Sequence, residues 1–410
     1  METKRNLVLI LIVSLFLIES SIAEDWPQWR GPDYNGISKE TDWSSSWSGD
    51  EPKVLWEKSI GIGFASITIS KGKAYTMGNK DGKDYVYCFN AETGDEIWSK
   101  SYECPLYNNL HEGGPCASVT VDGDVVYTLS KKGDIICFKA DTGDIVWQKN
   151  IQDEFECVPP QWHFSSSPLI IGDLLILNAG AKGLALDKSD GSKKWQNGGG
   201  IGAYSTGVTF DLDGKKSLAM LVEKEFVGLD VESGKVLWQI PWETYGQINA
   251  TDIIISNNKM FVSTGYNTGC ALYELKSGKP EEIYKNKEIS TQLNSAVLWE
   301  GYLYGFDGNI GMNSPGRGNL KCVEFETGKV KWSQGGMGTG SLMLADEKLI
   351  ILSEDGKLII AEASPEGFKE LASKQILTYQ CWTVPVLVNG RIYARNTEGK
   401  LVCVDVSKNN

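Results

Sequence analysis

The stretch Cys88-Phe-Asn-Ala-Glu-Thr-Gly94, followed by Trp98 four residues after its glycine, recurs along the chain and decides its fold. Four further clear copies keep the same spacing of four between glycine and tryptophan and end at Trp147, Trp195, Trp238 and Trp332. Two weaker copies end near Tyr284 and Leu371. Successive copies end 39 to 49 residues apart, which is the length of a four-stranded propeller blade.

A second pattern, two apolar runs joined by a tight turn, precedes each copy. In the run Val119–Tyr127, for example, Asp122 and Gly123 form the turn. Asp-Gly and Asn-Gly turns require positive φ and are strong hairpin signals when β-rich runs flank them. We count eight such hairpins: seven are followed by the Thr-Gly phrase or its remnant, and the eighth by Cys403-Val-Asp-Val near the end of the sequence. The chain therefore predicts eight units of four strands, A to D, with the Thr-Gly phrase as the C–D turn.

The last unit stops at Asn410 before a fourth strand, and the missing strand stands at the other end of the chain. The segment Lys53–Lys58 carries Trp56 at the expected place, and its pairing with the last unit would close the ring and remove an open edge. We predict an all-β fold, an eight-bladed β-propeller of four-stranded antiparallel blades spanning residues 53–410. The repeat tryptophans should each dock on the neighbouring blade: Trp56, Trp98, Trp147, Trp195, Trp238 and Trp332.

Residues 1–23 are interpreted as a secretory signal peptide. Lys4 and Arg5 precede an uncharged apolar run, Leu7–Ile18, and small residues lead up to Ala23. Twelve apolar residues are fewer than the roughly 20 that a membrane-spanning helix needs. We therefore expect cleavage near Ala23, a periplasmic or secreted protein, and no transmembrane segment in the mature chain.

Residues 24–52 precede the propeller as an arm with four tryptophans, Trp26, Trp29, Trp43 and Trp47. This segment is too apolar for a linker. We expect it to wrap around the propeller and cover one face or the closing blade, and the alternative is that it docks a partner.

Composition excludes several classes of function. The formal net charge of −13 argues against nucleic acid, which is bound mainly through Lys and Arg. Only two histidines, His111 and His163, are present, so a three-histidine metal site is impossible. The sequence also lacks the Gly-x-Ser-x-Gly turn of many hydrolases.

The face on which a ligand would bind follows from strand direction. The A–B and C–D turns share one end of each blade, and the B–C turns and D-to-A links share the other. The second end carries the long segments 101–115, 151–167 and 307–319, and irregular loops on a rigid scaffold are a common binding surface. The site candidates on this face are His111, Glu112, Trp162, His163, Tyr204, Asn249, Gln292, Asn294, Asp307, Arg317, Trp382 and Arg395. Either they form a small-molecule or peptide site, or they satisfy loop backbone around a wide polar channel.

The repeated phrase resembles the tryptophan-docking motif of the pyrroloquinoline-quinone (PQQ) repeat superfamily. That superfamily includes quinoprotein alcohol dehydrogenases and the propeller lipoprotein of the outer-membrane β-barrel assembly machine. The opening segment Asp25–Pro32, with its Trp26 and Trp29, resembles a narrower group of exported PQQ-like propellers of bacteria. The resemblance covers nearly the whole chain beyond the signal peptide, and it is specific for fold more than for function.

The resemblance implies two functions. The first is a non-catalytic scaffold, expected to be a monomer without a cofactor, that binds an envelope protein or a small molecule. The second is a PQQ- and Ca²⁺-dependent dehydrogenase, which needs acidic and amide oxygens for the cation, an arginine and a stacking tryptophan. Residues of suitable types are Glu112, Asn294, Asp307, Arg317 and Trp382. The adjacent cysteine pair of many such dehydrogenases is missing.

The nine cysteines divide into two groups. Four of them, Cys88, Cys137, Cys322 and Cys403, occupy one repeat position that elsewhere holds alanine, glycine or leucine. We expect these four to be small core side chains with free thiols. Among Cys104, Cys116 and Cys157 in the long loops, Cys104 and Cys116 are the best candidates for a disulfide, while Cys270 and Cys381 are expected to be unpaired.

Overall fold

Short β-branched runs alternate with glycine turns along the whole chain, and they pair into eight antiparallel sheets arranged as a propeller. The computed structural model describes residues 24–47, 51–107, 113–276, 278–308 and 318–408. The predicted signal peptide, residues 1–23, lies outside these ranges. No helix in the described part of the chain is long and apolar enough to cross a bilayer.

The strands are numbered in chain order, and each blade lists its A, B, C and D strands from the channel outward. Before blade 1 come β1 (Ile37–Ser38) and β2 (Lys53–Ser59). Blade 1 contains β3 (Thr68–Ser70), β4 (Lys73–Lys80), β5 (Lys83–Asn90) and β6 (Glu96–Glu103). Blade 2 contains β7 (Thr120–Asp122), β8 (Val125–Leu129), β9 (Asp134–Lys139) and β10 (Ile145–Asn150).

Blade 2 is followed by a short helix, α1 (Ile151–Phe155), and by β11 (Cys157–Val158). Blade 3 contains β12 (Leu169–Ile171), β13 (Leu174–Leu177), β14 (Leu184–Asp187) and β15 (Lys193–Gln196). The link strand β16 (Gly200–Ile201) pairs with β11. Blade 4 contains β17 (Val208–Leu212), β18 (Lys215–Leu221), β19 (Glu225–Asp230) and β20 (Val236–Pro241), and a 3-10 turn (Tyr245–Gln247) follows.

The second half repeats the pattern. Blade 5 contains β21 (Ile254–Ser256), β22 (Lys259–Thr264), β23 (Gly269–Glu274) and β24 (Glu281–Asn286). Blade 6 contains β25 (Val297–Trp299), β26 (Tyr302–Asp307), β27 (Asn319–Glu324) and β28 (Val330–Gln334). Blade 7 contains β29 (Ser341–Ala345), β30 (Lys348–Leu352), β31 (Lys357–Glu362) and β32 (Glu370–Gln375). Blade 8 contains β33 (Val386–Val388), β34 (Arg391–Arg395) and β35 (Lys400–Asp405), with β2 as its D strand.

The ring closes through the N-terminal strand, as predicted. Strand β2 pairs antiparallel with β35 and places Trp56 opposite Cys403. Seven apolar clusters fill the seams between neighbouring blades, and one of them joins blades 7, 8 and 1. Since each blade buries its faces against two neighbours, this packing holds the ring together.

The docking tryptophans join each blade to the next. The indole N–H of Trp98 donates to the carbonyl of Ala140 in the C–D turn of blade 2, at 2.9 Å. Trp56, Trp147, Trp195 and Trp332 make the equivalent bond to their next blade. In blade 5 the hydroxyl of Tyr284 takes this role and donates to the carbonyl of Phe325 at 2.9 Å. Trp238 is also buried, but its indole N–H has no partner in the described part of the chain.

The residue across the sheet from a docking tryptophan has to be small. Cys88 lies opposite Trp98, and Gly228 lies opposite Trp238. A Cβ built on Gly228 would come within 2.1 Å of the Trp238 ring, so blade 4 has no space for a side chain there. The four repeat cysteines fill this position as buried free thiols, as predicted.

The expected disulfide between Cys104 and Cys116 does not form, because all nine cysteines are free. Cys104 is buried beside the carboxyl group of Asp84 in blade 1. The sulfur of Cys116 instead faces the carbonyl of Gly114, at 3.8 Å. The two side chains therefore have separate surroundings.

The arm crosses the end of the channel where the A–B turns lie. Its backbone pairs with Ile69 of blade 1 through Trp26, and the carbonyl of Pro27 accepts the N–H of Val121 in blade 2 at 2.8 Å. Strand β1 adds in parallel to the A strand of blade 7, and the carboxylate of Glu40 accepts the N–H groups of the A–B turn of blade 8. These contacts join the arm to the adjacent blades 7, 8, 1 and 2, and the bond of Trp29 to Asp252, just before blade 5, carries it across the channel to the far side of the ring.

Candidate functional site

Six short polar side chains, here called the polar ring, line the channel two residues before the A strands of blades 1 to 6. In the first five of them the backbone N–H donates to the side chain of the equivalent residue in the next blade, at 2.7 to 3.2 Å. The series runs from Ser66 to Ser118, Ser167, Thr206, Asp252 and Ser295. These bonds satisfy buried backbone donors and fix the spacing of the blades around the channel. The polar ring was not predicted from the sequence. Its signal there is a Ser, Thr or Asp that stands two residues before the first strand in each of blades 1 to 6.

The acidic member of this ring, Asp252, anchors the arm inside the channel. One carboxylate oxygen accepts the N–H of Thr206 at 2.7 Å, and the other accepts the indole N–H of Trp29 at 2.7 Å. Arg30 lies 3.8 Å from the same oxygen and donates to the carbonyl of Ala296 at 2.9 Å. Burial raises the pKa of Asp252 and outweighs the opposing effect of Arg30. Because its acceptors are used within the protein, Asp252 is a structural group and not an acid available to a ligand.

The opposite end of the channel, lined by the B–C turns and the D-to-A links, is called the long-loop mouth. Three of its predicted residues, His111, Glu112 and Arg317, lie outside the described residues. The other nine predicted residues are described, and they fall into two groups. One group is committed to bonds within the scaffold, and the other lines the mouth.

Asn249 and Arg395 belong to the first group. The amide nitrogen of Asn249 donates to the carbonyl of Val222 at 2.7 Å, and its oxygen accepts the hydroxyl of Thr244 at 3.0 Å. Arg395 is fully buried and donates to the carbonyls of Met77, Gly61 and Ala65, at 2.6, 3.0 and 3.3 Å. Burial lowers the pKa of Arg395 to about 9. Both side chains satisfy loop backbone, which was one of the two expected roles.

Asp307 and Asn294 are held in the same way. The Asp307 carboxylate accepts the N–H of Ser290 at 2.7 Å and forms an ion pair with Lys321 at 2.7 Å. The amide nitrogen of Asn294 donates to the carbonyl of Trp382 at 3.1 Å. Asn294 therefore ties the link before blade 6 to the link before blade 8.

Trp382 belongs to the group that lines the mouth, where it forms an aromatic pair. Its ring stacks on Phe64 with centroids 6.0 Å apart. Its indole N–H donates to the carboxylate of Glu354 at 3.1 Å, and the second oxygen of Glu354 accepts the N–H of Thr339 at 3.0 Å. The carboxylate therefore orients the tryptophan, and the pair presents a partly exposed apolar surface in the mouth.

A second cluster on the mouth contains His163 and Trp162. His163 has a left-handed backbone, with φ at 65°, and its ring meets Tyr107 edge-on at 4.2 Å. Its Nδ1 atom is enclosed without a hydrogen-bond partner among the described residues, and burial lowers the pKa of its ring. The backbone N–H of Trp162 donates to the hydroxyl of Tyr204 at 3.2 Å.

Tyr204 and Gln292 continue the mouth wall. Burial raises the pKa of Tyr204 to about 12. Gln292 is buried against Gly265, where a Cβ would approach its side chain within 2.7 Å, and it bonds Tyr266. Tyr204 and Gln292 therefore form part of the wall of the mouth. The groups that a ligand could contact there are the partly exposed aromatic rings.

The described residues do not assemble a calcium and quinone site. Calcium takes roughly 6–8 oxygen ligands, while Asp307 is used by Lys321 and Ser290, and Asn294 turns its amide to a carbonyl. No group of three or more His, Cys, Asp or Glu side chains in the described ranges could hold a metal ion. Trp382 stacks on a phenylalanine of the chain itself.

Solved structures support the fold. The chain resembles BamB from Moraxella catarrhalis at 14% sequence identity and a TM-score of 0.64, over 86% of this chain and 99% of that one. It resembles the quinohemoprotein alcohol dehydrogenase from Comamonas testosteroni at 14% identity and a TM-score of 0.67, over 94% and 81% of the two chains. The computationally designed Ika8 protein matches at 11% identity and a TM-score of 0.58, over 87% and 100%. Because these identities are low, the likeness concerns the fold alone.

The comparison of sequences is more specific. A comparison with curated protein sequences found no match. A family model matches residues 82–334, which is more than half of the chain and runs from the outer two strands of blade 1 to the end of blade 6. The chain therefore belongs to the PQQ-repeat propeller family described as outer membrane protein assembly factor BamB.

Proposed function

We propose that this protein is an exported, non-catalytic propeller that acts as a monomeric protein-binding scaffold in the cell envelope, with the long-loop mouth as its docking surface. Membership of the family described as an outer membrane assembly factor supports the scaffold role. The contacts of the arm across the opposite channel end support the choice of surface, because they occupy the A–B turn face and leave the long loops on the other face.

The observation that carries the proposal is the placement of the exposed aromatic side chains. Among the described residues, the aromatic side chains that are strongly exposed are Tyr107, Tyr245 and Tyr379, at 48%, 79% and 47%. Each lies in a D-to-A link, after blades 1, 4 and 7. They therefore surround the mouth instead of clustering on one side.

Tyrosine is enriched in protein interfaces because a rigid ring gives a large contact area at small entropic cost. Tyr107 packs edge-on against His163, and Tyr245 lies 5.7 Å from the ring of Tyr266. These contacts hold the rings in place before a partner binds, which lowers the cost of ordering them. Exposed tyrosines ordered in this way fit a protein partner better than a small ligand.

Two cavities bear on the choice between a protein and a small ligand. One of about 70 Å³ lies between the arm and blade 8, lined by residues such as Trp47 and Val406. The other, of about 320 Å³, is more open and lies at the outer edge of blade 8 beside its B–C turn, between charged side chains such as Lys58, Glu398 and Lys400. Neither is an enclosed apolar cleft of the kind that small-molecule sites usually use.

Site-specific photo-crosslinking tests the proposal. A photoreactive amino acid replaces Tyr107, Tyr245 or Tyr379 in cells that export the protein, and the crosslinked products in the envelope fraction are identified. The control positions are Leu237 and Ile283, which are similarly exposed on the outer D strands. We expect a common envelope protein to be crosslinked from the three mouth positions and not from the controls.

Two results would contradict the proposal. The first is equal crosslinking from the mouth and the control positions. The second is dye-linked alcohol oxidation after addition of PQQ and Ca²⁺, which would favour the dehydrogenase function instead. Sequencing the N-terminus of the exported protein tests localisation, because cleavage after Ala23 leaves Glu24 as the first residue.

A further inference from the structure

Four buried polar atoms without a partner lie in the seam between blades 1 and 2. They are Oδ1 of Asn79, Oδ2 of Asp84 and the hydroxyl oxygens of Tyr102 and Thr128, none of which has a hydrogen-bond partner in the described part of the chain. Asn79, Asp84 and Thr128 are at most 2% exposed. In folded proteins nearly all buried polar groups pair with protein or with ordered water. Four unpaired atoms in one seam therefore need a common partner.

The register of blade 1 places three of these groups side by side. Asp84 on β5 lies opposite Asn79 on β4 and opposite Tyr102 on β6, so the three side chains form one row on the same face of the sheet. The ring of Tyr102 packs against the apolar cluster that fills the seam between blades 1 and 2. The row therefore faces blade 2.

Thr128 faces this row from the other side of the seam. It lies opposite Ile136 on β9 and two residues after Val126, and both of these belong to the same apolar cluster. Because paired and alternate residues of a sheet share a face, Thr128 points towards blade 1. Burial raises the pKa of Tyr102, and the hydroxyl of Thr128 is among the groups that oppose this shift, which agrees with a position close to the phenol.

The four groups do not bond to one another, although donors and acceptors are both present. The hydroxyls of Tyr102 and Thr128 could donate to the unpartnered oxygens of Asp84 and Asn79, but no such bond forms. The orientation of the Asn79 amide is fixed, because its nitrogen donates to Asp84 Oδ1 and to the carbonyl of Cys104, both at 2.7 Å. The four atoms are therefore too far apart for direct bonds and surround a position that is closed to solvent.

We infer that one internal water molecule is bound at this position and bridges blade 1 to blade 2. The oxygens of Asp84 and Asn79 accept its two hydrogens, and the hydroxyls of Tyr102 and Thr128 donate to its oxygen. All four groups are then satisfied by one water, and buried waters typically make about two to four hydrogen bonds. A cation at the same place would take only lone pairs and would leave both hydroxyl hydrogens unpaired.

The bound water connects this seam to the long-loop mouth. Asn79, one of its partners, also holds the carbonyl of Cys104, where the link that carries Tyr107 begins after β6. The water thus helps to fix the start of that link. The inference goes beyond the proposed scaffold function and does not depend on it, because it concerns the packing of two blades and involves no partner.

Removal of either hydroxyl tests the water, because its presence and its absence predict opposite signs. With the water bound, Tyr102→Phe and Thr128→Val each remove one of its bonds, and each should lower the melting temperature by roughly 1–2 °C. Without it, each substitution deletes an unsatisfied buried hydroxyl, which should raise the melting temperature. The melts are run at about pH 7.5, above the pKa of Asp84 of about 6, so that its carboxylate accepts a hydrogen of the water. An unchanged or raised melting temperature in either variant would overturn the inference.

Tyr304→Phe is the matched control for Tyr102→Phe. The hydroxyl of Tyr304 is also buried without a partner in the described chain, but its neighbours across the sheet are Val297 and Cys322. A bound water needs about two to four polar partners, so this hydroxyl has no equivalent site. We expect Tyr304→Phe to leave the melting temperature unchanged or to raise it. A loss as large as that of Tyr102→Phe would show that both hydroxyls act without a bound water, and would overturn the inference.

A crystal structure of the protein gives the direct observation. We expect a peak of electron density at hydrogen-bond distance, about 2.5–3.2 Å, from at least three of the four atoms, and a structure at high resolution without such a peak would overturn the water. Melts in NaCl, LiCl and choline chloride at equal ionic strength separate water from a bound cation. We expect the same melting temperature in the three salts, whereas a dependence on the cation that is lost in Thr128→Val would assign the site to a cation instead.

Discussion

The indole N–H of Trp29 donates to the carboxylate of Asp252 across 2.7 Å, although the two residues are 223 positions apart in the chain. The first belongs to the arm and the second to the polar ring of the channel. This bond and the neighbouring contact of Arg30 hold the arm deep in the channel. The arm therefore acts as part of the folded ring and not as a tether.

Trp29→Phe should destabilise the protein, because the ring stays in the channel while Asp252 loses its closest side-chain donor. An unsatisfied buried acceptor costs about 1–3 kcal/mol, and urea unfolding measures that loss. Trp47→Phe is the matched control, since Trp47 belongs to the same arm and its indole N–H lacks a partner among the described residues. Equal losses in the two variants would show that ring area, and not the bond to Asp252, holds the arm.

The seams between blades offer a second comparison of two tryptophans. Trp195 donates to the carbonyl of Val231 at 2.9 Å, while the indole N–H of Trp238 has no partner in the described chain. Both rings are buried to a similar degree, so replacement by phenylalanine removes a similar apolar area. We expect Trp195→Phe to cost about 1 kcal/mol more than Trp238→Phe, the usual worth of one such bond. Denaturant unfolding measures both, and an equal or larger cost for Trp238→Phe would contradict the role of the bond.

Two turn glycines of blade 2 test the close approach of a docking ring. Both Gly143 and Gly123 have positive φ, at 69° and 63°. A Cβ on Gly143 would come within 2.7 Å of Trp98, whereas a Cβ on Gly123 would meet nothing within 4 Å. Gly123→Ala should therefore cost only the backbone strain of about 1–2 kcal/mol, and Gly143→Ala should cost about 1–3 kcal/mol more from the clash. Thermal melts of the two variants give the comparison, and similar melting temperatures would rule out a tight contact.

Most of the fold could be predicted from the sequence because it is periodic. The spacing from Gly94 to Trp98 reports a local turn and strand, and repetition of that unit determines the ring. The closing strand at Trp56 follows from the same count. The copy that ends at Tyr284 is one of the two weaker ones in the sequence. The hydroxyl of Tyr284 makes the bond to the next blade that an indole N–H makes elsewhere.

The site was less predictable, because its residues lie in links that do not repeat. Asn249 and Arg395 lie on the predicted face. The sequence could not show that both side chains donate to backbone carbonyls of the scaffold. The best disulfide candidate, Cys104 with Cys116, was wrong, because closeness within one long loop does not determine which way two side chains face.

A buried acid between blades 1 and 2 provides a prediction about pH. Asp84 is 1% exposed, and one of its oxygens accepts the amide of Asn79, while the other has no partner among the described residues. The oxygen of Asn79 is also without a described partner. Burial raises the pKa of Asp84 from 3.8 to about 6, against the smaller opposing effects of Asn79, Cys104 and Lys131.

The direction of the pH effect follows from this raised pKa. Between about pH 4 and pH 6 the folded protein holds a proton on Asp84 that the unfolded chain has released, so this group's contribution to stability falls as pH rises and is constant above that window. A shift of about two pKa units corresponds to about 3 kcal/mol. In Asp84→Asn, the new side-chain oxygen can still accept the amide of Asn79, and the new amide group can donate to the unpartnered oxygen of Asn79. The substitution also removes the group that titrates. Urea unfolding at a series of pH values measures the free energy of unfolding of both proteins. We expect the difference, Asp84→Asn minus the unmodified protein, to increase by about 3 kcal/mol between pH 4 and pH 7. Parallel pH profiles for the two proteins would mean that Asp84 is already ionised at pH 4 in the folded state.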